Sequence, residues 1–262
     1  SKTAKGRAIQ NLINIEQDDK VKAFINTQDL KDEEYINSHY VIMATKKGQV
    51  KKTLLEQYSR PRANGINAIT IKDEDELLEA KLTTGNSQIL LAVKSGKAIR
   101  FEEDKTRPMG RSASGVRGIT LNGPSDEVIG MVSVSDAETE ILVVSENGYG
   151  KRSSLDDYRT TNRGGKGVKT LSITDKTGEL VSIKNVSDLD DLMIINKSGI
   201  AIRMDVADLR VMGRATQGVK LINLKGTDTI AAVAKVMKDD EEIPEVSEGD
   251  VPTSETDGTN LE

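Results

Sequence analysis

Residues Glu140–Arg152 read EILVVSENGYGKR: an aliphatic run, an Asn-Gly pair, and a shorter stretch ending on two bases. Aliphatic and β-branched side chains favour a pleated, buried strand. Asn-Gly is the strongest short-range signal for a tight hairpin, because its favoured turn needs positive φ at both central residues. The same grammar returns in Tyr40–Gly48 (YVIMATKKG), Gln88–Gly96 (QILLAVKSG) and Asp191–Gly199 (DLMIINKSG). The turn glycines Gly48, Gly96, Gly148 and Gly199 therefore stand 48, 52 and 51 residues apart. A second glycine keeps the same interval: Gly65 (NGINAITI), Gly115 (SGVRGITL), Gly167 (KGVKTLSI) and Gly218 (QGVKLINL), spaced by 50, 52 and 51.

Two markers sharing one period of about 50 residues define a repeat protein. Each unit holds the hairpin, a loop, an alternating strand such as Val168–Ile173, and a last strand such as Glu179–Lys184, with Leu77–Leu82 and Glu127–Val132 as its equivalents. Four short strands in a unit of this length is the arithmetic of a propeller blade. The expected fold is therefore all-β and propeller-like, over residues 1–237. A partial blade spans 1–38 and full blades span about 39–85, 86–136, 137–187 and 188–237. Gly6, in KGRAIQNLI, marks the partial blade, whose front half is absent; its interval of 59 to Gly65 places a surface-loop insertion at Asn26–His39. No segment sustains a 3.6-residue apolar period, which excludes a helical solenoid.

Composition narrows the function. Five Tyr, two Phe and no Trp leave the core to Val, Ile, Leu and Met, and the absence of Cys removes disulfides and thiolate metal sites. No apolar run of about 18 residues occurs and the N-terminal residues are polar, so neither a membrane span nor a secretory signal is expected. A cytoplasmic, nucleoid-associated protein fits, and because the chain opens on Ser1 we expect it to be part of a longer one. No GxxxxGK[ST] phosphate loop is present, and His39 stands alone in the inserted stretch. Tyr58 and Tyr158 precede basic loops at matching points and are expected to pack in the core or to anchor the loops, not to act as nucleophiles. No catalytic residue, metal or cofactor is expected in this domain.

The net charge of −5 hides a division. Ten of the 42 acids and none of the 37 bases fall in residues 239–262, so the body is mildly basic and residues 238–262 form an acidic, disordered tail. In the body the bases keep the period. Lys52, Arg100, Arg152 and Arg203 each stand four residues after a turn glycine, with Lys51 and Lys151 just before two of them. The loop before each second glycine is also basic, carrying Arg60 and Arg62, Arg111, Arg163 and Lys166, or Arg214. Arg117, Lys169 and Lys220 follow the glycine by two residues. Equivalent positions in successive blades share one rim, so these bases form a belt suited to duplex phosphates, and glycine-rich loops let backbone N–H groups join in.

At Arg163-Gly164-Gly165-Lys166-Gly167 the sequence resembles the core of the box motif of the DNA gyrase A subunit, and the blade pattern resembles that family's β-pinwheel over Ser1–Val236. Asn147–Arg152 and Met212–Val219 are especially similar to the family. The resemblance implies a C-terminal domain that binds and wraps duplex DNA for ATP-dependent negative supercoiling. Its implied partners are the B subunit and the rest of the A subunit, in an A2B2 complex, with no membrane. ATP and Mg belong to other parts of that holoenzyme. The motif departs from the family at Thr161-Asn162, where Gln and a base are usual. The family's principal box also lies in the first blade, ahead of this chain, so 161–167 corresponds to a secondary box. Two other readings stay open: the equivalent domain of topoisomerase IV, which selects DNA geometry, and a propeller scaffold for protein partners.

Overall fold

A computed structural model describes residues 19–62, 64–135 and 139–237. The half unit at Gly6 and the acidic tail fall outside them. Each aliphatic run forms a strand and each turn glycine closes a hairpin. In the first sheet β1 (Tyr40–Thr45) pairs with β2 (Gln49–Leu54) and with β3 (Leu77–Thr83). The second sheet holds β4 (Gln88–Val93), β5 (Lys97–Glu102) and β7 (Val128–Val134). The third holds β8 (Glu140–Ser145), β9 (Tyr149–Ser154) and β11 (Leu180–Val186). The fourth holds β12 (Asp190–Asn196), β13 (Ala201–Asp205) and β15 (Ile230–Met237).

The fourth strand of each complete sheet comes from the following repeat. Val116–Arg117 (β6) pairs with β2, Val168–Lys169 (β10) with β5, and Val219–Lys220 (β14) with β9. The long alternating strand expected at Val168–Ile173 thus shrinks to two residues and joins the preceding sheet. The second glycine makes this exchange possible. Gly115, Gly167 and Gly218 have φ of +87°, +71° and +79°. A Cβ on any of them would lie 2.5 Å from a carbonyl oxygen of the preceding sheet, that of Val50, Ala98 or Gly150.

The strands β3, β7, β11 and β15 contact one another in turn, so the sheets fan out from that side and the exchanged strands lie on the outer edge. Between neighbouring sheets both faces of a strand are buried, which explains unbroken aliphatic runs. Ile89, Leu91 and Val93 pack toward the first sheet, Leu90 and Ala92 toward the third. Each fully buried aliphatic chain contributes about 1.5–3 kcal/mol. The insertion at Asn26–His39 is more than a loop: Glu33–Ser38 forms a short helix, α1, capped by the Asp32 carboxylate. Ile36 of that helix covers the outward face of the first sheet beside Val41, Met43 and Leu55.

Candidate nucleic-acid interface

Three kinds of base emerge from the periodic set, and the structure corrects the idea that all of them line one exposed rim. The first kind sits four residues after the turn glycine and reaches beneath the next repeat. Lys52 Nζ donates to the Glu103 carbonyl at 3.2 Å and lies 3.8 Å from the buried Glu103 carboxylate. Arg100 Nη1 donates to the carbonyls of Leu155 and Tyr158 at 2.8 and 2.9 Å. Arg152 donates to the Leu209 carbonyl and pairs with Glu140 at 2.8 Å and Asp188 at 2.5 Å. Arg203 remains exposed, its Nε 2.5 Å from Asp191. These side chains leave the hairpin toward the turn of the following unit; Glu103 and Leu155 are the first residues of short 3-10 helices, and Tyr158 is the C-cap of the second. In that setting Lys52 and Arg152 are buried.

Lys51 and Lys151 are more enclosed still, at 0% and 1% exposure. Lys51 Nζ donates to the carbonyls of Ala68 and Arg111. Lys151 Nζ donates to Gly213 O at 2.7 Å, Arg214 O at 2.5 Å and Thr216 O at 3.0 Å. Burial lowers both ammonium groups to about 8; a nearby arginine adds to this, Arg111 for Lys51 and Arg214 for Lys151, while Asp157 opposes it at Lys151. Such lysines hold the loop and present no charge to a ligand outside.

The second kind precedes the second glycine by four residues and ties the loop to the unit before it. Arg163 donates to Lys105 O at 2.9 Å and Arg117 O at 3.0 Å. Arg214 repeats this on Asp157 O and Lys169 O, both at 2.8 Å, and Arg111 on Asn67 O at 3.3 Å. Thr120 completes the tie, its hydroxyl donating to Gly164 O at 2.6 Å and its N–H to Gly165 O at 2.9 Å. Tyr58 and Tyr158 anchor the loops as expected, on Ala68 O at 3.1 Å and on Thr170 Oγ1 at 2.5 Å. Burial pushes the Tyr158 phenol up to about 12, so it stays neutral.

The third kind is free to meet a polyanion. Arg117, Lys169 and Lys220 stand exposed on the exchanged outermost strands, and Arg60, Arg62 and Lys166 on the loops. Gly164, at φ +84°, bends the box loop so that exposed Gly165 and Lys166 lie at its tip, with Gly167 half-buried behind them. Between that loop and β5 opens a cleft of about 260 Å³, lined among others by Arg100, Arg159, Lys166 and Gly165. Arg159 was not singled out from the sequence, nor were its equivalents Arg107 and Arg210. All three are exposed, and each stands eight residues before a second glycine, which is the signal that identifies them. Among the described residues no cluster of His, Cys, Asp or Glu is arranged to hold a metal ion. No described helix is long and apolar enough to cross a membrane.

Strand-exchanged four-stranded sheets fanned about one side, with bases on the exchanged strands, define a β-pinwheel repeat domain. The family described as the DNA gyrase C-terminal domain, a beta-propeller, matches residues 39–84, 88–135, 139–187 and 190–237, and the chain belongs to it. The DNA gyrase A subunit of Staphylococcus aureus strain NCTC 8325 is 43% identical over 260 residues, which is 99% of this chain and 29% of that protein. Its counterpart in strain MRSA252 gives 43% over 261 residues, 28% of that protein. The chain thus spans under a third of the relatives it matches. Two solved structures share the fold at 24% identity. A DNA topoisomerase IV C-terminal domain has a TM-score of 0.81 over 88% of this chain and 71% of that one. A DNA gyrase A C-terminal domain has 0.77 over 90% and 77%.

Proposed function

We propose that this domain binds duplex DNA along its outer edge and bends it there, as a non-catalytic part of a gyrase A subunit. One observation carries the reading. Arg117, Lys169 and Lys220 occupy the same place on three successive exchanged strands, and Arg107, Arg159 and Arg210 the same place on three successive loops. A ladder of bases with one spacing contacts phosphates along a curved path and reads no base edge, so binding depends on salt and little on sequence. Bending 20–30 base pairs by 40–90° costs about 1–6 kcal/mol, which several phosphate contacts offset.

The wrapped segment is then presented to the cleavage machinery for negative supercoiling driven by ATP. ATP and Mg act in the remainder of an A2B2 assembly with the B subunit, in the cytoplasm, and this domain takes no cofactor. The 43% relatives and the Arg163–Gly167 loop favour gyrase over the topoisomerase IV reading, since the likeness at a TM-score of 0.81 concerns the fold alone. The test mixes relaxed circular DNA, the domain and a nicking-closing enzyme. A change of linking number that grows with protein to saturation supports wrapping and gives its sign; no change at full binding refutes it.

A further inference from the structure

Successive sheets also meet at their inner rim, on the side of the hairpin turns, through a main-chain hydrogen bond. Lys46, Lys94, Glu146 and Lys197 directly follow β1, β4, β8 and β12, and Glu76, Glu127, Glu179 and Thr229 directly precede β3, β7, β11 and β15. Within each sheet the first of these residues donates its N–H to the carbonyl of the second at 2.9 Å. Its own carbonyl then accepts from the neighbouring sheet: Lys46 O from Val128 N–H at 2.8 Å, Lys94 O from Leu180 at 3.0 Å and Glu146 O from Ile230 at 2.9 Å. The backbone is the same at all three junctions.

The side chains are not. Lys46 Nζ lies 3.4 Å from the Glu76 carboxylate and 4.0 Å from that of Glu127. Lys94 Nζ lies 3.7 Å from Glu127 and 3.2 Å from Glu179. Each lysine therefore joins the carboxylate of its own sheet to that of the next, and Lys22 meets Glu76 from the other side at 2.8 Å. The Lys94 ammonium is held above its ordinary value, first by its hydrogen bond with Glu179, against some desolvation, and then by the charges of Glu179, Glu127 and Glu146.

At the third sheet the row changes sign. Glu146 folds back over its own sheet: its Oε1 accepts from the Glu179 N–H at 2.9 Å, and its Cγ fills the space that a Cβ on Gly178 would need. Across the junction stands Thr229, which carries no charge. An acid and an uncharged residue cannot form the bridge that Lys46 and Lys94 form.

We infer that this row of side chains is a salt-sensitive clasp, shut by a lysine at the first two junctions, and that Glu146 makes the third junction the one at which neighbouring sheets open. The outer edge of each junction is tied by an exchanged strand, so opening at the inner rim changes the angle between the sheets about that edge. Where DNA follows the outer edge, a consequence that rests on the function proposed above, this angle sets the local curvature of its path. The clasp itself does not depend on DNA. A single exposed ion pair contributes little. Here each lysine meets two carboxylates across a junction, beside the hydrogen bond of a buried residue.

The amides of Val128, Leu180 and Ile230 report the three junctions directly. Their exchange is followed in the 262-residue chain, without DNA, at about 0.02 M and about 0.5 M sodium chloride, a range over which exposed charges become strongly screened. Ratios between the amides remove the effect of salt on the exchange chemistry. Raising salt is expected to speed exchange at Val128 and Leu180 by about threefold relative to Ile230. Lys46→Gln should abolish that response at Val128, and Lys94→Gln at Leu180. Glu146→Lys with Thr229→Glu builds a bridge of the same kind and should confer the response on Ile230. One salt response shared by all three amides overturns the inference, as does an Ile230 amide that behaves as in the wild type after the double substitution. A Val128 response that survives Lys46→Gln overturns it as well, even where the double variant fails to fold.

Discussion

Arg163 donates through Nη1 to the carbonyl oxygen of Arg117 at 3.0 Å, so one arginine of the basic set grips the backbone of another. Arg214 does the same to Lys169 at 2.8 Å, one repeat later. The gripping residue spends its guanidinium inside the domain; the gripped residue has its main chain fixed and its own charge turned to solvent. Architecture and exposed charge are thus divided between neighbouring bases.

That division separates two substitutions in one loop. Arg163→Ala removes two hydrogen bonds from a half-exposed charged donor, and we expect a loss of about 1–2 kcal/mol, seen as a lower Tm. Lys166→Ala removes an exposed side chain and should change stability by less than about 0.5 kcal/mol while weakening DNA binding. Thermal melts and DNA titrations of both variants check this. Equal melting temperatures with equal losses of affinity would contradict the assignment.

Glycine substitutions probe the strand exchange. Gly65 and Gly167 have similar φ, +77° and +71°, but an added Cβ meets no described atom within 4 Å at Gly65 and Ala98 O at 2.5 Å at Gly167. Gly65→Ala should cost only left-handed strain, about 1–2 kcal/mol. Gly167→Ala adds displacement of the exchanged strand β10 and should cost more, with faster amide exchange in β5. Chemical denaturation of the two variants gives the comparison, and equal costs would argue against close docking.

Lys151 makes stability depend on pH. Its ammonium titrates near 8 in the folded chain against an ordinary 10.5. Between those values the unfolded chain binds more protons, so by linkage this group's contribution to stability rises with pH. The Tm advantage of the wild type over Lys151→Met should therefore grow from pH 7.5 to about 9.5. An advantage that shrinks over that range would mean the carbonyl cage holds the proton.

The ten acids of residues 239–262 share a chain with the exposed bases. Tethering sets an effective concentration of about millimolar, enough for weak self-binding to compete with DNA. Deleting Asp239–Glu262 should tighten DNA binding at low salt, with a gain that fades as salt rises. A neutral Gly/Ser replacement of equal length that inhibits as strongly as the acidic one would rule out charge competition.

The repeat and its hairpins were legible because both are local. A turn glycine and an aliphatic run specify β8 and β9 without reference to anything distant. The exchange was not legible, because Val168 and Lys169 fit a strand in either sheet and only the clearance at Gly167 decides. The bases divided in the same way. Position alone put Lys151 and Lys169 on one belt, yet one is 1% exposed and the other open to solvent. What distinguishes them is the loop that lands on each hairpin, a contact some 62 residues away in sequence for Lys151 and Gly213. Arg107, Arg159 and Arg210 are legible in principle from their constant offset to the second glycine, although they lie outside the box motif.

The central claim is that the exposed bases, and not the buried ones, hold DNA through its phosphates. The slope of log K against log salt for the wild type and for the triple substitution Arg107→Gln, Arg159→Gln, Arg210→Gln tests it most directly. If all three meet phosphate, the slope should become less steep by about 0.9 for each, close to 2.7 in total, with Tm unchanged. A slope and affinity equal to those of the wild type would contradict the account.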